Sequence, residues 1–183
     1  MEPITLPNGA TITLKRGDIT GEAADAIVNA ANGHLLPGGG VSGAIHDAAG
    51  PDLERECSEV VRQRGSLATG EAVMTAGYDL PAAHVIHAVG PVWSGGGDSE
   101  AEALSSAYRS AIEIADEGGL NSVAFPSIST GIYGYPLGEA APVALESVVD
   151  ALGQASNVRT VTFVLYDAAT YAAYEIASRP IRA

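Results

Sequence analysis

Apolar and polar positions alternate with a period of two at the start of the chain, in Ile4-Thr5-Leu6 and in Thr11-Ile12-Thr13-Leu14, on either side of Pro7-Asn8-Gly9. Alternating runs joined by a glycine turn predict an antiparallel hairpin. Beyond it, short runs rich in β-branched residues, at 26–29, 71–75, 84–89, 122–125 and 160–165, are separated by helix-length stretches. Ten or more residues between several runs leave room for crossover helices, so the sheet is expected to be largely parallel and the fold class α/β.

The helices carry their own spacing. Leu104, Tyr108, Ala111, Ile112 and Ala115 fall on one face at a 3.6-residue period and predict a sheet-packing helix stopped by Gly118-Gly119. Ser99 and Glu102 precede that stripe at the spacing of a capping box. Leu145, Val148, Val149 and Leu152 mark a second helix, with Pro142 expected near its first turn and Gly153 at its end. Leu53, Cys57, Val60 and Val61 mark a third, closed by Gly65, which makes Cys57 a core residue. No linker or repeat divides the chain, and one domain over 1–183 is expected. Ser94-Gly95-Gly96-Gly97 reads as a mobile connection.

Composition narrows the class. Hydrophobic residues at 46% against 17% charged give ample core material and rule out disorder. Apolar runs stop at strand length, so no membrane partner is expected. Met1-Glu2-Pro3 begins no secretory signal, and the single cysteine excludes an internal disulfide and a cysteine-rich zinc site, so the expected compartment is the cytoplasm. Nine basic and 22 acidic side chains give a net charge of −13, which repels nucleic-acid polymers.

Two segments break the pattern of strand, tight turn and helix. The first passes from Asn29-Ala30-Ala31-Asn32 to Gly38-Gly39-Gly40-Val41-Ser42-Gly43-Ala44-Ile45-His46. The second is Phe125-Pro126-Ser127-Ile128-Ser129-Thr130-Gly131-Ile132-Tyr133-Gly134. Glycines leading into a helix let the backbone approach a ligand and aim N–H groups at negative charge. Neither Lys nor Arg occurs over 17–54 or 110–158, so these loops would hold an anion by amides alone, which suits one diphosphate. Gly38, Gly40 and Gly43 also satisfy G-x-G-x-x-G, the mark of an NAD-dependent oxidoreductase. Asn32 and the five residues after it separate them from the strand, and no acidic residue ends a strand about 20 positions on. A Walker loop lacks its Gly-Lys-Ser/Thr. His84 and His87, three apart on a strand, face opposite sides. His46 is expected to tie its loop in place, and His34 is the ionisable group of that loop nearest a ligand. No metal and no cofactor are expected.

Together with Asp18-Ile19, these motifs closely resemble the macro domain, in its MacroD-like branch, and the resemblance runs from Ile12 to Ala177. It implies a three-layer α/β/α sandwich around a mixed, largely parallel sheet, with ADP-ribose in a cleft at the strand ends. Carried over motif by motif, Asp18 would accept from the adenine amino group with Ile19 beside it, and Tyr166 would stack on the base. Ser127, Ser129, Thr130, Gly131, Ile132 and Tyr133 would wrap the diphosphate. Gly39, Gly40 and Val41 would face the distal ribose, Asn32 would hydrogen-bond one of its hydroxyls, and Tyr133 would pack on it.

The resemblance further implies hydrolysis of ADP-ribose esters, on mono-ADP-ribosylated Asp or Glu of partner proteins and on O-acetyl-ADP-ribose, with Asn32, Ser42 and Tyr133 around the reacting end. Here the chain departs from its pattern. Gly39-Gly40-Val41-Ser42 stands where the MacroD pattern has Gly-Gly-Val-Asp, so the carboxylate credited with activating water is missing. Ser42 is a poor base and is expected at most to cap the helix. Asp47, five residues on, is rotated ~140° away. Some macro domains lack that carboxylate and still hydrolyse; the alternative is a module that binds ADP-ribose without turnover.

Overall fold

A computed structural model describes residues 2–97 and 99–182. Seven strands, β1 (Ile4–Thr5), β2 (Thr11–Arg16), β3 (Ala26–Ala31), β4 (Ala72–Ala76), β5 (His84–Val89), β6 (Ser122–Phe125) and β7 (Thr160–Leu165), form one sheet in the order β1-β2-β7-β6-β3-β5-β4. The hairpin closes as expected, with Leu6 N–H donating to the Ala10 carbonyl at 2.8 Å and Gly9 at φ +84°. The four inner pairings, β2 with β7, β7 with β6, β6 with β3 and β3 with β5, are parallel; the edge pairings, β1 on β2 and β4 on β5, are antiparallel. This is the mixed, largely parallel sheet that the spacing predicts.

Helices cover both faces because successive strand residues point to opposite sides. Val28, Ile86, Val123, Val161 and Phe163 pack with the helices α3 (Glu100–Glu117), α4 (Leu137–Gln154) and α5 (Ala168–Arg182). On the other face Ile27, Val85, Ala124 and Val164 meet α1 (Gly40–Ala49) and α2 (Pro51–Arg64) through Ile45, Leu53 and Cys57. The result is the expected α/β/α layering. All-parallel neighbours running the same way bring the carboxyl ends of β2, β7, β6, β3 and β5 to one rim, where the long connections lie.

Several local expectations are corrected. Ser99 sits at the N-cap of α3 with φ +59° and makes no side-chain cap bond. Glu100 ties the preceding loop instead: its carboxylate accepts from Ser94 Oγ at 2.5 Å and Gly96 N–H at 2.6 Å, so 94–97 is a held connection rather than a loose one. Pro142 lies in the second turn of α4, where its ring forgoes a helical hydrogen bond, and the helix runs one residue past Gly153. α5 has no counterpart among the predicted stripes.

Candidate functional site

A cleft of about 560 Å³ opens at the carboxyl rim of the parallel strands. Its floor and walls come from the ends of β2, β3, β5, β6 and β7 and the first turn of α1. Asp18, Ile19, Asn32, Gly39, Gly40, Val41, Ser42, Ser127, Ser129, Thr130, Gly131, Ile132, Tyr133 and Tyr166 all line it. Segments more than a hundred residues apart in sequence thus share one space. His34, by contrast, is exposed and is not among the lining residues.

The first wall is built by packing, not by side-chain caps. Leu35, at φ +55°, is buried and anchors the loop after β3 in the core, while Leu67 N–H donates to the Gly33 carbonyl at 2.8 Å. The Asn32 side chain orders this same loop: Oδ1 accepts from His34 N–H and Leu36 N–H, both at 3.1 Å, and Nδ2 donates to the Leu36 carbonyl at 2.9 Å. One amide hydrogen of Asn32 remains for another partner. Gly39 is the N-cap of α1 without a side-chain cap bond, so the N–H groups of Gly40, Val41 and Ser42 keep the unpaired state of a helix start. A Cβ on Gly43 would lie 2.4 Å from the Gly38 carbonyl oxygen, so the helix sits tight against its own lead-in loop.

The second wall is the loop after β6. Ser129, at φ +67°, accepts from Tyr135 N–H at 2.9 Å, and Gly134 N–H closes on the Gly131 carbonyl at 3.0 Å. Trp93 N–H fastens the Tyr133 carbonyl at 2.9 Å. None of the five consecutive N–H groups from 129 to 133 donates to another group among the described residues. Ile132, 81% exposed, leans toward Gly39, where an added Cβ would come within 3.2 Å of its Cδ1, so the two walls meet across the cleft. The lining contains no Lys or Arg, and its two charged side chains are Asp18 and Asp167.

At the β2 and β7 end, Asp18 Oδ1 caps the 3-10 turn Ile19–Gly21, accepting from Thr20 N–H at 2.9 Å and Thr20 Oγ1 at 2.8 Å; among the described residues no hydrogen bond is made to Oδ2. Ile19 is a core residue that also borders the cleft. The Tyr166 ring is 81% exposed. Asp167 accepts from Thr170 N–H at 2.8 Å, a bond that holds its carboxyl below the ordinary range.

Ser42 does not cap α1. It is the third residue of the helix, 6% exposed, and its Oγ accepts from Asn29 Nδ2 at 3.4 Å. Asn29 Nδ2 also donates to His87 Nδ1 at 3.1 Å, so the His87 proton sits on Nε2, facing Thr75 Oγ1 at 2.9 Å. Burial depresses His87 to about 3 and pushes the Cys57 thiol up to about 12, so both are neutral. Asn29 separates Ser42 from the imidazole, and no base touches its hydroxyl.

His46, Cys57 and His87 were not grouped by their spacing, yet their ligand atoms lie within 4.8 Å of one another. His46 does not tie its loop: both its ring nitrogens are buried without a hydrogen-bond partner among the described residues. A cation here would have to take His87 Nε2 from Thr75 and the thiol proton from Cys57. As they stand the three form a neutral core contact. Gly90, which sequence reasoning missed, also lines the cleft; a Cβ there would sit 2.2 Å from Ser129 Oγ, so its bareness seats the second wall. Its signal was its place directly after a parallel strand.

Comparison with known proteins gives a consistent result. The Macro domain family model matches residues 28–144. The chain is 50% identical over 164 residues to a Cronobacter turicensis protein named O-acetyl-ADP-ribose deacetylase, covering 90% of this chain and 93% of that one. An Oceanobacillus iheyensis macrodomain mutant solved with ADPR superposes with a TM-score of 0.92 at 41% identity, covering 98% and 97% of the two chains. A Trypanosoma brucei macrodomain in complex with ADP-ribose gives 0.82 at 42% identity, over 90% of this chain and 68% of that one.

Proposed function

The chain belongs to the macro domain family, and we propose that it binds ADP-ribose and hydrolyses ADP-ribose esters, both O-acetyl-ADP-ribose and ADP-ribose linked to Asp or Glu of modified proteins. The observation that carries this reading is the run of five N–H groups at 129–133 that meet no acceptor among the described residues, opposite the uncapped start of α1 in a cleft whose described lining has no cationic side chain. Convergent main-chain donors and a helix N-terminus stabilise a diphosphate without a positive side chain. Relatives named as deacetylases and structures holding ADP-ribose support the same ligand and reaction.

In this reading the unused Oδ2 of Asp18 accepts from the adenine amino group, and Tyr166 offers a free ring face to the base. The amides of the second wall and of Gly40 and Val41 hold the phosphates. The remaining Asn32 hydrogen donates to a hydroxyl of the distal ribose, against which Tyr133 packs. Water adds to the ester carbonyl, the ribose oxygen leaves and takes up a proton, and the acid is released. Positioning supplies most of the acceleration, with a phosphate oxygen of the substrate holding the water. Ser42 contributes no base, because its oxygen is turned to Asn29.

The G-x-G-x-x-G match has a local explanation that needs no dinucleotide: Gly43 is bare because the Gly38 carbonyl lies against it. The burial of Ser42 favours one second reading, a module that binds ADP-ribose without turning it over. Incubation with a glutamate-linked ADP-ribosylated protein and with O-acetyl-ADP-ribose is expected to release ADP-ribose. No release above buffer over hours at micromolar enzyme refutes the hydrolase, and tight calorimetric binding alongside that result selects the binding module. Among the described residues no helix is long and apolar enough to cross a membrane.

A further inference from the structure

We infer that Tyr108 of α3 and Tyr174 of α5 are positioning residues for the diphosphate wall, acting through a one-way hydrogen-bond chain that ends on the Ser127 hydroxyl. The inference rests on the ADP-ribose reading above. Both tyrosines are completely buried, in an aromatic cluster with Phe125 and Phe163 at ring separations of 5.1 to 6.0 Å. Ring packing alone would be served by phenylalanine, and a buried hydroxyl costs stability unless it is bonded. Here each hydroxyl is bonded, and the partners belong to the second wall.

The direction of the chain follows from counting hydrogens. Ile128 N–H donates to Tyr108 Oη at 2.9 Å. Tyr174 Oη donates to Ser127 Oγ at 3.0 Å, which commits its only hydrogen. At the 3.2 Å contact between the two tyrosine oxygens Tyr174 can therefore only accept, and the Tyr108 hydrogen has this oxygen as the nearer of its two acceptors, the Pro126 carbonyl lying at 3.4 Å. The Thr130 hydroxyl reaches Ser127 Oγ at 2.8 Å and the Ser127 carbonyl at 3.1 Å, and its donation along the shorter contact takes the second lone pair of Ser127 Oγ. Its own hydrogen is left to point elsewhere, and Ser127 lines the cleft. Burial keeps both phenols protonated, Tyr174 at about 12 and Tyr108 well above its ordinary value. Hydrogen bonds in series polarise one another, so each donation upstream makes the Ser127 hydroxyl a better donor to a phosphate oxygen.

A double-mutant cycle on the full chain, read by calorimetry with ADP-ribose, tests this. Ser127→Ala removes the terminal donor to an anion and is expected to weaken binding on the order of ten-fold. Tyr174→Phe keeps the ring and is expected to weaken it roughly three- to five-fold, as the loss of one neutral hydrogen bond would. In the Ser127→Ala background Tyr174→Phe is expected to cost nothing further, because its path to the ligand is gone. Tyr108→Phe, one link farther back, follows the same pattern with a smaller loss and serves should Tyr174→Phe fold poorly. Equal losses in both backgrounds, which a purely structural tyrosine would produce, overturn the inference while leaving ADP-ribose binding intact. A wild-type protein that does not bind ADP-ribose overturns both.

Discussion

Replacing Gly43 by Ala sets two effects of opposite sign against each other. In a helix interior Ala is better than Gly by about 1 kcal/mol, so propensity alone predicts a more stable protein. The added methyl, however, would lie 2.4 Å from the Gly38 carbonyl oxygen and 3.5 Å from its carbon. That neighbour is backbone and cannot rotate aside as a side chain would. Forcing atoms into a filled space costs roughly 1–3 kcal/mol, so the clash outweighs the propensity and the net change is a loss of about 0–2 kcal/mol. For a chain of this length that is a fall in melting temperature of up to about 8 °C. The larger effect is expected on the ligand. Relief must come from moving the 38–40 loop or tilting the first turn of α1, and either one redirects the N–H groups of Gly40 and Val41. Calorimetry should show ADP-ribose affinity reduced at least ten-fold. A variant that melts about 4 °C higher and binds as tightly as wild type would refute both the close packing and its role in the cradle.

Two further outcomes follow from the buried polar groups. His87 is held near 3 in the folded protein against about 6.5 when unfolded, so the unfolded chain binds a proton that the folded one does not. Stability is then complete above pH 6.5 and falls as pH drops through the window from 6.5 toward 3, by up to about 1.4 kcal/mol per unit. Between pH 6.5 and 5 thermal melts should fall by several degrees, and His87→Gln should flatten the slope to what His46, also lowered by burial, contributes; an unchanged slope counts against the assignment. Ser42→Asp puts a carboxylate at the third position of α1, where the helix start and Asn29 Nδ2 favour its charge. It should raise kcat for ester hydrolysis ten-fold or more with little change in KM, and an unchanged kcat would show that the missing acid does not limit the rate.

How much of this was legible in sequence depends on range. The seven strands are written locally, in β-branched runs with turn residues between them, and the two cleft walls are written in glycines and small residues at strand ends. α5 was not legible because its buried face is marked mainly by Thr170, Tyr174 and Ser178, which make no apolar stripe; the helix is held by Tyr174 packing on Phe163. Tyr108 read as one more member of a stripe, and its polar end became visible only with Tyr174 beside it. Asn29 read as a strand residue, yet it separates Ser42 from His87. Cys57 and His87 are 30 residues apart and meet at 3.7 Å only through the packing of α2 on the sheet. Sequence spacing carries contacts within an element; what two elements do to each other appears when they dock.

The acidity of the chain has a consequence for the binding itself. A ligand with a diphosphate is an anion approaching a protein of net charge −13, in a cleft whose lining carries two carboxylates and no cation. The long-range field therefore opposes binding, and on the proposed reading the attraction to the phosphates comes from uncharged donors in contact with them, the main-chain N–H groups and the Ser127 hydroxyl. These two parts respond differently to salt. Repulsion between separated charges is screened as the Debye length shrinks from about 10 Å at 0.1 M to about 3 Å at 1 M, whereas donors in direct contact are screened far less. A site built on Lys or Arg loses affinity steeply over that range because salt weakens the attraction itself. Here ADP-ribose affinity should stay level or rise between 0.1 and 1 M sodium chloride, measured by calorimetry at fixed pH. A fall of ten-fold or more would mean that a cationic group outside the described lining holds the diphosphate, and the amide cradle would lose its place as the source of binding.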